Sequence, residues 1–361
     1  MAYRYVGRDN EACSERRAEG RDHVKAAVQK AVNVVEVEDV AEPTINPHQI
    51  KIQVAFAGLC GTDMEILEGT FGLAKGPFWE FPKIEGHEAS GVVVEVGSDT
   101  NLGFKVGQRV AAVPLSPCGE CYHCRTGQEH YCEFVNFYSG AFAEYAVYNE
   151  GQVFPIDDDV SFEAAAILEP VAIALRSVEL AHISPGSYVA ILGGGAIGSL
   201  TLEVALKAGA TKLMISEPVA FKRDLALKLG ATVAVDPLSQ NLDEVAAEVT
   251  KGRGFDAVID CTGRLEVAKQ ALGLAGPCAH VVWSAVYPEH GEVPVNAYQM
   301  YLKDLSIHGV FMAPYLMWRA NRMLSVLDLA PITSHIYALD DINQAFEDQR
   351  KGKVIKALIR P

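Results

Sequence analysis

The stretch YVAILGGGAIGS at positions 188–199 decides how the rest of the chain is read. Five consecutive apolar or aromatic residues suit a strand buried on both faces. The glycines at 193, 195 and 198 fit Gly-x-Gly-x-x-Gly, and a helical pattern runs on to 208. Gly193 permits a tight turn, Gly195 lets bare backbone approach a pyrophosphate, Ala196 and Ile197 open the helix, and Gly198 lets helix and strand pack closely. The helix N-terminus stabilises phosphate charge. A glycine-rich turn alone would explain the letters equally well. The strand before it, the helix after it and Glu217, 19 residues beyond Gly198, turn the pattern into a dinucleotide site.

Glu217 also bears on which dinucleotide. A carboxylate accepts hydrogen bonds from a free ribose 2′-hydroxyl and repels a 2′-phosphate, so NAD is expected over NADP. Lys222 and Arg223 are the opposing signal, because a basic side chain suits a 2′-phosphate. Lys222 therefore stays among the cofactor candidates.

Outward from this motif, strand candidates at 212–217, 232–235, 256–261, 279–285 and 305–311 alternate with helical stretches at 220–229, 242–250 and 265–274. That alternation predicts a parallel sheet with helices on both faces. Before it, short runs at 50–56, 91–96, 109–114 and 144–147 are punctuated by glycine and proline and read as β-structure, followed by one helix over 161–180. After it come helices near 318–327 and 340–350 and a closing strand at 354–359. The parallel sheet, 181–313, thus reads as an insertion between two parts of a β-rich domain, 24–180 and 314–361. Residues 1–23 form an N-terminal extension.

At 361 residues the chain is long enough for two cores. Its net charge of −15 argues against general binding to nucleic acid or anionic membranes. No run of eighteen apolar residues occurs, so no membrane span is expected. The N-terminal 23 residues lack the apolar core of a secretory signal, and their acids argue against a transit peptide. The expected location is cytoplasmic.

Four of the 8 cysteines crowd into fifteen residues as Cys118-x2-Cys121-x2-Cys124-x7-Cys132. Four thiolates in one loop match tetrahedral zinc and leave no open position, which makes the site structural. An iron–sulfur cluster also begins with x2 spacings, but its pattern needs the fourth cysteine after three residues and then proline. Here the gap is seven and Glu133 follows. A nucleic-acid zinc ribbon lacks its basic footprint, because Glu120, Glu129 and Glu133 outweigh Arg125.

Three further pieces are weak singly. Cys60 lies in Gly58-Leu59-Cys60-Gly61-Thr62-Asp63, His87 in Gly86-His87-Glu88, and Glu169 in Leu168-Glu169-Pro170. A lone cysteine is more often a small buried hydrophobe. Together they offer sulfur, nitrogen and oxygen, a set suited to zinc with one open position. Phe78, Trp79, Phe81 and Phe137 suit a pocket lining or an aromatic core equally well.

With these motifs in this order, from residue 24 to 361, the chain resembles the zinc-containing medium-chain dehydrogenase/reductase superfamily, and within it the polyol (sorbitol-type) and butanediol dehydrogenases. The resemblance implies an α/β protein with a GroES-like β-rich catalytic domain and an inserted Rossmann domain, a doubly wound parallel sheet. It implies two zinc ions per chain. One is structural; the other is catalytic, on Cys60, His87 and either Glu169 or Glu88. Thr62 matches the hydroxyl that passes the alcohol proton outward, Asp63 a residue that braces a ligand, and Lys356 a basic residue on the cofactor pyrophosphate. Alcohol dehydrogenases proper usually carry cysteine where this chain has Glu169; an acid there resembles the polyol branch. Many relatives also carry histidine two residues after the aspartate, where this chain has Met64 and Glu65. That form resembles archaeal-type sugar dehydrogenases.

The expected activity is oxidation of a secondary hydroxyl on a polyol, diol or sugar-like substrate, with hydride transfer to NAD. A threonine-type amino-alcohol dehydrogenase and a non-catalytic dinucleotide-binding relative are the alternatives. The resemblance implies a homotetramer or homodimer.

Overall fold

A computed structural model describes residues 4–5, 23–71 and 79–361. Most of the expected extension at 1–23, and Phe78, lie outside the described residues. Arg4–Tyr5, inside that extension, pairs as a short parallel strand with Asn136–Phe137.

The chain divides into two compact units, Met1–Glu169 with Thr333–Pro361 and Pro170–Ile332. The breaks differ from the expected 180 and 313, and specific contacts explain why. Ser177, on the helix Leu168–Leu180, bonds Ser284 of the parallel sheet at 2.6 Å, so most of that helix goes with the sheet. Arg319 pairs with Glu179, and the Asp328 N–H donates to Glu203 at 3.1 Å, so residues up to 332 stay with it too.

The first unit is built on a sheet whose strands run in the order Val153–Pro155, Arg109–Ala112, Glu88–Val96, Gln49–Gly58, Ala357–Arg360 and His335–Ala338. Alternation supplies one buried face: Ile50, Ile52 and Val54 on one strand meet Ala89 and Val93 on the next and Ala357 and Ile359 beyond. The antiparallel register sets Gly58 opposite Glu88 on one side and Leu358 on the other. The ends of three neighbouring central strands, preceded or followed by Cys60, His87 and Lys356, therefore converge at one end of the sheet. The hairpin His23–Ala31/Val34–Ala41 is an element the short apolar runs did not mark.

The second unit is a six-stranded sheet, parallel throughout, in the order Val233–Val235, Lys212–Ser216, Tyr188–Leu192, Phe255–Asp260, Ala275–Trp283 and Ser306–Gly309. This is the doubly wound order, with its switch point beside the strand Tyr188–Leu192. The strand interiors Ala190, Ile191, Val258 and Val281 are fully buried, as near-continuous apolar strands between two helical layers require.

The helix expected over 161–180 is two helices. Ser161 caps Phe162–Ala166 by accepting the Ala164 N–H at 3.1 Å, and the chain restarts at Leu168–Leu180. Pro170 explains the break: inside a continuous helix its ring would meet the carbonyl of residue 166, whereas it fits the first turn of a new one. The restart puts Glu169 in that first turn.

Candidate active site and metal centres

Gln49–Gly58 ends in Leu59 and Cys60, and Cys60 is the N-cap of the helix Gly61–Glu68. Its side chain faces the N–H of Asp63, and Asp63 Oδ2 accepts the Cys60 N–H at 2.8 Å. Asp63 Oδ1 lies 3.1 Å from His87 Nδ1, and Asp63 is 1% exposed. One buried carboxylate thus fixes the backbone of Cys60 and the ring of His87 together. With Nδ1 turned to Asp63, Nε2 is the ring nitrogen that would face a metal, once a metal displaces the proton it shares with the Cys60 sulfur. Burial acts to lower the His87 pKa, but the Asp63 carboxylate and the Cys60 sulfur outweigh it and hold the imidazole well above its usual range. The ring also lies 5.7 Å from that of buried Phe137.

Glu88 follows His87 and is fully buried. Its Oε1 accepts Lys356 Nζ at 2.5 Å, and its Oε2 has no hydrogen-bond partner. The ligand atoms of Cys60, His87 and Glu88 lie within 4.8 Å of one another. A buried, unpartnered carboxylate oxygen beside a thiol and an imidazole fits a zinc ion. The Glu169 carboxylate is outside this set. Burial and the nearby negative charge of Glu88 push its pKa up to about 7, against the opposing pull of His87 and Lys356. Thr62 is half-buried in the first turn of the Cys60-capped helix.

Lys356 was expected, by resemblance, on a cofactor pyrophosphate. In this structure its ammonium is buried against Glu88, with side-chain exposures of 4% and 0%. Burial lowers its pKa, but Glu88 and the Cys60 sulfur more than reverse this and hold the charge on Lys356. The expected aromatic candidates take different places: Trp79 and Phe81 flank the Lys83 ammonium, with ring centroids at 5.8 and 5.3 Å.

The four cysteines form a lobe closed at its neck by antiparallel pairing of Leu115–Ser116 with Asn136–Phe137. Two sulfur–sulfur separations, 3.6 Å for Cys121–Cys124 and 4.0 Å for Cys118–Cys124, bracket the ~3.8 Å edge of a tetrahedron with zinc–sulfur bonds of ~2.3 Å. Backbone N–H groups of Glu120 and Cys121 point at Cys118 Sγ, and those of Cys118 and Phe134 at Cys132 Sγ. Backbone N–H groups pull the Cys121 thiol down to about 6, while burial and the Cys121 sulfur push Cys124 up to about 12. Four such sulfurs need a cation to be thiolates together. The donor set fits zinc.

In the second unit Gly193 adopts φ +100°, and a Cβ at Gly198 would fall 1.8 Å from the Gly193 carbonyl, so both glycines are demanded by the turn itself. Gly195 caps the helix Ala196–Lys207. Glu217 binds the turn rather than standing free: Oε2 accepts the Gly194 N–H at 2.8 Å and Oε1 the Val219 N–H at 2.9 Å. Each oxygen keeps a further lone pair for a ribose hydroxyl. Arg223 is committed to the Glu217 carbonyl and to Asp236, and Lys222 lies 5.9 Å from the Phe221 ring centroid.

Gly58 is a contributor the sequence did not single out. A Cβ there would fall 2.1 Å from Glu88 Oε2. Its signal was present, two residues before Cys60, but its meaning depends on a strand partner far along the chain.

Residues 46–158 match the family described as the alcohol dehydrogenase GroES-like domain, and residues 196–328 match the zinc-binding dehydrogenase family. The chain is 32% identical over 335 residues to L-threonine 3-dehydrogenase of Pyrococcus abyssi, covering 90% of this chain and 94% of the relative. It is 28% identical to sorbitol dehydrogenase of Bacillus subtilis, over 94% of this chain and 98% of the relative. A structure assigned as a zinc-binding dehydrogenase, from Sinorhizobium meliloti and bound to NADP, superposes with a TM-score of 0.87 at 32% identity. It covers 94% of this chain and all of that one.

Proposed function

We propose, for a chain that belongs to the zinc-containing medium-chain dehydrogenase/reductase superfamily, that it oxidises a secondary hydroxyl of a polyol, diol or sugar-like substrate and delivers the hydride to NAD. The observation carrying this reading is the triad Cys60, His87 and Glu88 around one unpartnered buried carboxylate oxygen.

Zinc held here would supply Lewis acidity at a substrate oxygen, and a nicotinamide would be the hydride acceptor. Everything else falls to the chain. Cys60, His87 and Glu88 would hold the metal, and Asp63 would keep His87 in the one tautomer able to do so. Lys356 offsets the charge of Glu88, so that the site gathers its anionic ligands without an uncompensated carboxylate. Glu169 is the second carboxylate, able to exchange with Glu88. Thr62 moves the substrate's hydroxyl proton outward. In the second unit, the N–H groups opening Ala196–Lys207 would hold the pyrophosphate and Glu217 the adenosine ribose.

A threonine-type amino-alcohol oxidation is the second reading, favoured by the 32% identity to L-threonine 3-dehydrogenase. A panel of secondary alcohols, diols, polyols, sugars and threonine, run with NAD and with NADP, tests both. Turnover confined to threonine overturns the polyol reading, and a clear NADP preference overturns the NAD assignment.

A further inference from the structure

The second unit holds a cluster that neither zinc set uses. His280 lies on the strand Ala275–Trp283, His308 on the neighbouring edge strand Ser306–Gly309, and His182 just beyond the helix Leu168–Leu180. The register pairs Val282 with His308 and His280 with Ser306, so His280 and His308 share a sheet face. Leu305, Ile307 and Val281 pack into the core on the opposite face. The Ser177–Ser284 bond holds the helix over the histidine face and brings its end, with His182, to the two strands.

His280 Nδ1 and His308 Nε2 are 3.1 Å apart, and the His182 ring centroid lies 4.4 Å from that of His280 and 6.1 Å from that of His308. One nitrogen from each ring falls within 4.8 Å of the others. In a tetrahedral site with metal–nitrogen bonds of ~2.0–2.1 Å, ligand nitrogens stand about 3.3 Å apart. The His280–His308 separation is therefore close to a metal-site edge already.

We propose that His182, His280 and His308 form a third metal site, for a divalent cation that prefers imidazole, zinc foremost, with a fourth position open to water. An all-nitrogen set disfavours magnesium and calcium, which seek oxygen, and three protein ligands with one open side is the arrangement zinc accepts outside closed structural sites. The carbonyl end of the helix contributes favourable partial negative charge. Arg176 brings positive charge to His308 and works against it, tempering the affinity. The bound ion would tie the sheet's edge strand to the end of the helix. The competing arrangement is a hydrogen-bonded imidazole pair with His182 merely stacked nearby.

Equilibrium dialysis of the purified holoprotein against Zn2+, with zinc counted per chain by mass spectrometry, separates the two. The double variant His280→Asn/His308→Asn removes two ligands. His182→Asn removes the third while suiting its left-handed backbone, φ +49°. The wild type should take up one zinc more than the double variant, and His182→Asn should weaken that uptake about tenfold or more. The wild-type Tm should rise by roughly 5 °C at a hundredfold excess of Zn2+ over Kd, a rise absent from the double variant. Equal zinc counts in wild type and both variants, or uptake equally well served by Mg2+, would overturn the site. Because the readout is a difference between variants, its failure is separate from failure of the cysteine sites or of the proposed activity.

Discussion

Lys356 Nζ lies 2.5 Å from Glu88 Oε1, and the pair is closed off from solvent. The two residues are 268 positions apart and meet because the strand that Glu88 opens and the strand that follows Lys356 flank Gln49–Gly58. A cation in this place offsets the negative charge that Glu88 brings beside Cys60 and Asp63.

Replacing Lys356 by Met leaves Glu88 as an uncompensated buried charge. The expected cost is about 3–5 kcal/mol, seen as a lowered Tm in thermal denaturation. Because Lys356 acts through Glu88, kcat should fall while KM for NAD stays within about twofold. A large rise in that KM with unchanged stability would return Lys356 to the cofactor.

Asp63→Asn keeps the size of the side chain but turns an acceptor for His87 into a donor. His87 then presents the wrong tautomer. Affinity for the Cys60–His87 zinc should drop about 10–100-fold, measured by competition with a chelator, while zinc in the four-cysteine lobe stays. A wild-type chelator curve would show that Asp63 is only a helix cap.

Gly58→Ala sets a methyl group where Glu88 Oε2 now lies. The variant should fold, because the strand register does not depend on that atom, and should lose Glu88 as a ligand. Activity falls and one zinc per chain becomes labile; unaltered zinc retention would instead favour Glu169 as the resident ligand.

Glu217→Ala removes the anion facing a 2′-phosphate and the latch on Gly194. The ratio of kcat/KM for NADP over NAD should rise about tenfold, roughly 1.4 kcal/mol. KM should worsen for both cofactors, because the glycine turn loses its support. A ratio unchanged from the wild type means that Glu217 serves the turn alone.

The chain announces its short-range features well. Gly193 to Gly198 and Cys118 to Cys132 each form one local unit, so their spacing is their geometry. The alternation of strands and helices around Tyr188–Leu192 likewise dictates a parallel sheet. What the letters hide depends on tertiary register. Glu88 reads as a neighbour of His87 until the sheet brings Lys356 to it. Gly58 is an ordinary strand residue until Glu88 is opposite. His182, His280 and His308 come from three separate elements with no common spacing. The continuous helix over 161–180 fails for a reason that is local, since Pro170 forbids it, and that break is what sets Glu169 at a helix start.

The four-sulfur lobe has a consequence for the protein's lifetime. Cys121 and Cys124, with their sulfurs 3.6 Å apart, are close to the distance from which thiolate attack on an oxidised sulfur proceeds, and the Cys121 thiol is already the more acidic of the two. Metal and oxidant therefore compete for the same atoms. A bound zinc would engage these lone pairs; without it, an external oxidant that took two electrons from Cys121 and Cys124 would leave a disulfide across the x2 gap and too few thiolates for the metal. Restoring a demetallated lobe would then call for a reductant as well as the metal.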